Sequence, residues 1–135
     1  MLDILENHIA HSVQEACACL DADAQAIVVA GGTDVLIKIR EGKLAGARLV
    51  SIGDILELKG VSMKENGDLV IGPLTTFTEL EEYPQIQKNI PLLAMAAGTV
   101  GGPQIRAAGT IGGTICNGVT SADTASPICA LNARL

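Results

Sequence analysis

Aromatic side chains are almost missing from this chain: Phe77 and Tyr83 stand alone, and there is no tryptophan. Without them there is no stacking platform for single-stranded nucleic acid, and a large planar ligand must be held by backbone and aliphatic groups. Basic residues are also scarce, nine against fifteen acids, which leaves a formal charge of -6. With no basic cluster to displace counterions, a general nucleic-acid or anionic-membrane surface is disfavoured. No apolar run reaches membrane-spanning length, and the start "MLDILENHIAHS" lacks both the basic region and the apolar stretch of a secretory signal, so the expected location is the cytoplasm. Cys17, Cys19, Cys116 and Cys129 show no C-x-x-C spacing, which argues against a zinc ribbon or an iron–sulfur cage within the chain and for reduced thiols. His8 and His11, three apart, read as a helix-face pair at solvent, with no role in metal binding.

What remains is apolar enough to fold: 135 residues with 48% hydrophobic content are one domain's worth of material. Charge is spread unevenly. Beyond Tyr83 only Lys88, Arg106, Asp123 and Arg134 are charged, while seven of the fifteen glycines fall between Gly98 and Gly118. Such a stretch cannot make an ordinary solvated face and requires a cover from the fold, a ligand or another chain.

Element signals alternate at first. Ser12 and Glu15 form a capping box ahead of a helix in "SVQEACACLDA" that ends near Asp21. "AIVVA" (26–30) reads as a buried parallel strand, "VLIKIREG" as a helix stopping at Gly42, and "RLVSI" (48–52) as the next strand, so the connectivity is βαβ. The pattern then turns α+β, with a subdomain boundary between residues 53 and 60. Asn66-Gly67 in "VSMKENGDLVIG" marks a tight antiparallel hairpin. Thr76 with Glu79 caps a helix that Pro84 ends, and "PLLAMAAGTV" starts another behind Pro91 that Gly101-Gly102-Pro103 stops.

Two double-glycine turns carry the chemistry. In "VVAGGTDVL" a strand runs into glycines and then a helix, leaving amide N–H groups free to face an anion such as a diphosphate. A plain turn fits the same residues. Neither G-x-G-x-x-G nor G-K-[ST] is present, which excludes the dinucleotide fingerprint and the phosphate loop. "AGTIGGTICNG" repeats the arrangement with Gly112, Gly113 and the hydroxyls of Thr110 and Thr114. Two such turns could clamp one diphosphate through backbone groups in an otherwise acidic protein. Asp34 suits a helix dipole better than a ligand contact. Arg106, the one base near the second turn, suits a phosphate, a neighbouring subunit or simple packing.

"VVAGGTDVLIKIR", "GGPQIRAAGTIGGTICNG" and the following Asp123 resemble the FAD-binding, or medium, subunit of molybdenum hydroxylases, the group of xanthine, carbon monoxide and nicotinate dehydrogenases. The resemblance covers nearly the whole chain. It implies an α+β FAD-binding fold similar to that of vanillyl-alcohol oxidase (PCMH type), with residues 1–56 as a small βαβ subdomain and 57–135 as the first part of a mixed, antiparallel one. It implies a first cofactor loop of Val28, Val29, Ala30, Gly31, Gly32, Thr33, Asp34 and Val35, and a second of Thr110, Ile111, Gly112, Gly113 and Thr114, at the diphosphate and ribityl regions. Val100 matches a position beside the flavin ring, and Asp123 an acid on the flavin side of the cofactor.

The same resemblance implies partners. Electrons would leave a molybdopterin centre on a large subunit, cross two [2Fe–2S] clusters on a small subunit, and reach FAD here, with NAD+ as the acceptor. No catalytic side chain is implied in this chain, because the cofactor carries the redox chemistry. Relatives of this subunit continue beyond "ALNARL", so the chain is expected to be truncated or split, with its glycine-rich stretch covered by the remaining half or by another copy of itself. Two other readings are a non-catalytic interaction fragment and a module that binds a diphosphate nucleotide without redox chemistry.

Overall fold

The computed structural model describes residues 2–135, which divide into two units after Leu58. The first unit is built on a parallel three-stranded sheet in the order β1 (Ile4–Ile9), β3 (Ala47–Ser51), β2 (Ile27–Val29). Central β3 buries Ala47, Leu49 and Val50. Two helices accompany the strands, α1 (Val13–Ala22) and α2 (Val35–Arg40). Ile39, Val35 and Leu36 of α2 pack with Val29, Ala47 and Leu49 in one apolar cluster. The expected βαβ connection from residue 26 to residue 52 is present.

Strand β1 was not expected, because only the ends of "ILENHI" are apolar and no alternation announces a strand. It is held as an edge by backbone pairing to β3, with a bulge between Ile4 and Glu6. This placement corrects the reading of the histidines. His8 lies on β1 and His11 in the turn before α1, so they share no helix face. His8 Nε2 instead lies 2.9 Å from Glu15 Oε1. Ser12 caps α1, accepting from the Glu15 N–H at 3.1 Å. The Glu15 carboxylate takes the N–H of His11 at 2.8 Å, so the reciprocal half of the expected capping box falls one residue earlier.

The second unit opens on the antiparallel hairpin of β4 (Val61–Met63) and β5 (Leu69–Ile71). Gly67 has φ +87°, its N–H donates to Lys64 O at 3.0 Å, and Asn66 keeps a negative φ. The turn is therefore centred on Glu65 and Asn66 with Gly67 as the left-handed residue after it.

Six short helices follow: α3 (Phe77–Glu82), α4 (Pro84–Asn89), α5 (Pro91–Thr99), α6 (Pro103–Ala108), α7 (Ile111–Asn117) and α8 (Ala125–Ala130). Sequence signals announce α3 and α5 only. The capping box of Thr76 and Glu79 is present in both directions. Pro84, Pro91 and Pro103 each occupy the first turn of a helix, where a missing N–H costs nothing, so residues read as stops also act as starts. The core gathers Phe77, Leu80, Ile86, Leu93, Ala94, Ala97 and Ile111. Tyr83 spans from helix to hairpin, its hydroxyl donating to Val61 O at 3.2 Å.

Candidate functional site

The first glycine loop lies entirely in the first unit. Val29 is buried and its carbonyl accepts the Ile52 N–H at 2.9 Å, which ties the end of β2 to the chain beyond β3. The chain then turns at Gly32, with φ +72°, where a Cβ would also come within 3.2 Å of Leu36 Cδ1. Any other residue there meets both a left-handed backbone and a packed leucine. The Gly32 carbonyl accepts the Leu36 N–H at 3.0 Å and the Asp34 carbonyl that of Lys38 at 3.1 Å, so α2 is under way two residues later. Val35 and Ala30 are half-buried, Val28 and Asp34 exposed, and Asp34 makes no side-chain cap. Carbonyls here point into the helix. The N–H groups of Gly31, Gly32, Thr33 and Asp34 find no acceptor among the described residues of their unit. A row of unpaired amides beside a side-chain-free bend is a donor set that fits an anionic bridge such as a diphosphate.

The second stretch differs from its expectation. Gly112 and Gly113 form no bend: neither has positive φ, and both lie in the first turn of α7 behind Thr110 as the cap. Its amides are already engaged. Ile111 N–H donates to Thr75 O at 3.0 Å, Gly112 N–H to Pro73 O at 2.9 Å, Gly113 N–H to Thr110 Oγ1 at 3.2 Å and Thr114 N–H to Thr110 O at 3.1 Å. Thr110 and Ile111 are buried, and Thr110 bridges to Thr76. Glycine is needed at 112 because a Cβ would stand 2.5 Å from the Pro73 Cβ. Exposed Gly113 and half-buried Thr114 leave a surface and a hydroxyl for a ligand, but no free amide.

Val100 caps α5 and packs against the core of the second unit. Asp123 is exposed in the turn before α8, and its carboxylate has no hydrogen-bond or ion-pair partner among the described residues. Next to it, fully buried Thr124 has a hydroxyl with no partner. An unmet buried hydroxyl costs about 1–3 kcal/mol, so Thr124 Oγ1 is a polar atom suited to an incoming partner. Nothing in "TSADTASP" marks that threonine over its neighbours.

Arg106 is mostly buried, and its side chain hydrogen-bonds neither Gly31-Gly32 nor Gly112-Gly113. Its Nε lies 3.3 Å from Glu81 Oε2, and its Nη1 donates to Gly101 O at 3.1 Å and to Val100 O at 3.4 Å. Of the readings open from its residue type, internal packing is the one its contacts express. Among the described residues, no cluster of three or more His, Cys, Asp or Glu stands ready for a metal, and no helix is long and apolar enough to cross a membrane.

Residues 4–135 match the family described as the FAD binding domain in molybdopterin dehydrogenase. The chain is 42% identical over all 135 residues to a xanthine dehydrogenase FAD-binding subunit of Escherichia coli O157:H7, covering 46% of that protein. It is 36% identical over 113 residues, 84% of this chain and 38% of the relative, to a nicotinate dehydrogenase FAD-subunit of Eubacterium barkeri. Among solved structures, carbon monoxide dehydrogenase from Hydrogenophaga pseudoflava superposes with a TM-score of 0.83 at 36% identity, over 87% of this chain and 41% of that one. The chain thus spans less than half the length of the relatives it matches.

Proposed function

Because the chain belongs to the FAD-binding domain family of molybdopterin dehydrogenases, we propose that it is the FAD-holding part of a cytoplasmic molybdenum hydroxylase of the xanthine dehydrogenase type. Its partners in this reading are a molybdopterin large subunit and an iron–sulfur small subunit, and its final acceptor is NAD+. FAD, when bound, would supply the redox chemistry that links the iron–sulfur clusters to the nicotinamide.

The chain's own part is to hold and orient. The observation that carries the reading is the set of unpaired amides from Gly31 to Asp34 beside the left-handed Gly32. Those donors balance the diphosphate charge without lysines, and the absence of a Cβ at Gly31 and Gly32 lets oxygen atoms reach the main chain. Val28, Val29, Ala30 and Val35 frame that loop. Thr110 to Thr114 contribute through the Gly113 surface and the Thr114 hydroxyl. Val100 offers an aliphatic side to the ring, and Asp123 a carboxylate to the flavin end. Residues 1–56 and 57–135 serve as the two FAD-binding subdomains.

Purifying the chain and releasing its bound nucleotide by heat tests the reading. A visible flavin band with FAD in the released fraction supports it. A colourless protein indicates a non-catalytic interaction fragment, and ADP or ATP in place of FAD indicates a nucleotide module without redox chemistry. Co-purification with the two partner subunits, followed by assay of NADH formation, tests the acceptor.

A further inference from the structure

We propose that Arg106, through Glu81, is a positioning residue that sets the backbone of the Val100–Gly102 turn and thereby the environment of the flavin; the flavin half of this inference rests on the function proposed above.

Three helices meet at this point. Glu81 comes from α3, Gly98 from α5 and Arg106 from α6, and the turn they surround joins α5 to α6. Backbone bonds hold the turn at its ends, where the Val100 N–H donates to Ala97 O at 3.2 Å and Gly102 O accepts the N–H groups of Ile105 and Arg106 at 2.9 and 3.0 Å. Gly101 has φ +46°, is exposed and, like Gly102, has no side chain to pack. The carbonyls of Val100 and Gly101 both receive their side-chain hydrogen bonds from one guanidinium group. A planar fork with several donors can hold two carbonyls and a carboxylate together, and a lysine ammonium cannot reproduce that geometry.

Glu81 keeps the fork in place, and Gly98 makes room for Glu81. A Cβ on Gly98 would stand 2.9 Å from Glu81 Oε1, so the carboxylate occupies the space left by the missing side chain. The ion pair is half-exposed on its acidic side and contributes little to stability as a charge pair. Its consequence is geometric. It points the guanidinium at the two carbonyls, to which no other side chain among the described residues donates a hydrogen bond.

Gly98→Ala is the informative variant. It leaves both charges in the protein and favours the helix, but forces the Glu81 carboxylate away from Arg106. Three full-length variants, Gly98→Ala, Glu81→Gln and Arg106→Lys, are compared with wild type in two measurements alongside the thermal midpoint. Amide hydrogen exchange without FAD reads the turn, and the visible absorption and fluorescence of added FAD read the cofactor environment.

The expected result is exchange faster by about tenfold at Val100 and Ile105, whose N–H groups donate to Ala97 O and Gly102 O at the two ends of the turn, and a changed flavin spectrum, in all three variants, with the thermal midpoint of Gly98→Ala at or above wild type. If wild type takes up FAD and the variants match it in exchange and spectrum, the positioning role of Arg106 is overturned while the FAD reading stands. If wild type takes up no FAD, the FAD reading fails and the flavin half of this inference with it; exchange at Val100 and Ile105 then still decides whether Arg106 orders the turn.

Discussion

The N–H of Gly112 donates to the carbonyl oxygen of Pro73 at 2.9 Å, and a Cβ on Gly112 would stand 2.5 Å from the Cβ of the same proline. The two facts together place the start of α7 hard against the segment after β5. Gly112→Ala is therefore expected to destabilise the protein by about 1–3 kcal/mol through overpacking. Gly113→Ala meets only the movable Thr110 hydroxyl at 2.9 Å, and a weakened cap is offset by better helix propensity, for a net change of about zero. Urea midpoints of the two variants check the contrast. Equal losses would contradict it.

Gly109 stands in a similar relation to a rigid partner. A Cβ there would come 2.9 Å from Cε2 of Phe77, a ring that is 2% exposed, and 3.0 Å from Ile105 O. Gly109→Ala is expected to cost about 1–3 kcal/mol, again by urea denaturation. A loss well below 1 kcal/mol would mean that the ring can move aside.

The capping box of α3 gives a third test. Thr76 N–H donates to Glu79 Oε2 at 2.7 Å and Glu79 N–H to Thr76 Oγ1 at 3.2 Å. Thr76→Ala is expected to cost about 1 kcal/mol and Thr76→Ser to restore most of it. A deficit in the serine variant as large as in the alanine variant would assign the effect to the methyl group instead.

These three sites show why the sequence was legible in one half and only partly in the other. Strand β2, helix α2 and strand β3 announce themselves because two apolar runs, "AIVVA" and "RLVSI", bracket the helix between glycines, and Gly42, with φ +73°, ends the helix where its position implies. Helices α4, α6, α7 and α8 are as short as α2, at six or seven residues, but lie between no strands whose apolar runs would mark their limits. The glycines of "TIGG" read as a bend because glycine usually makes one. They are helical here because Thr110 caps them, Pro73 leaves no room for a Cβ, and burial of Ile111 anchors the turn. The Thr110 cap is local, but Pro73 and Thr75, which receive the Gly112 and Ile111 N–H groups, lie far upstream in the chain, so no local window contains them. The first loop was legible in both its glycines and its free amides, since its geometry is local. The role of Arg106 depends on Glu81 and on the space above Gly98, which spacing does not reveal.

Acid sensitivity of the first unit follows from Glu15. The N–H of His11, and after it the His8 ring, hold the Glu15 carboxyl below its ordinary range. A folded-state pKa lower than the unfolded one contributes stability that is present above the ordinary glutamate value and lost as pH falls through the depressed one. Glu15→Gln is expected to lower the urea midpoint at neutral pH, with the gap to wild type closing as pH falls from about 5 to about 3. A gap independent of pH would show that the carboxylate charge is not what the histidine contacts stabilise.

The claim at the centre of the account is that the free amides of the first loop receive FAD. Nuclear magnetic resonance of the 15N-labelled chain titrated with FAD tests it most directly. The account predicts saturable downfield shifts at the amides of Gly31, Gly32, Thr33 and Asp34, with the Pro73-bonded amide of Gly112 little changed. Saturation that leaves those four amides unmoved, or no saturable response at all, would contradict it.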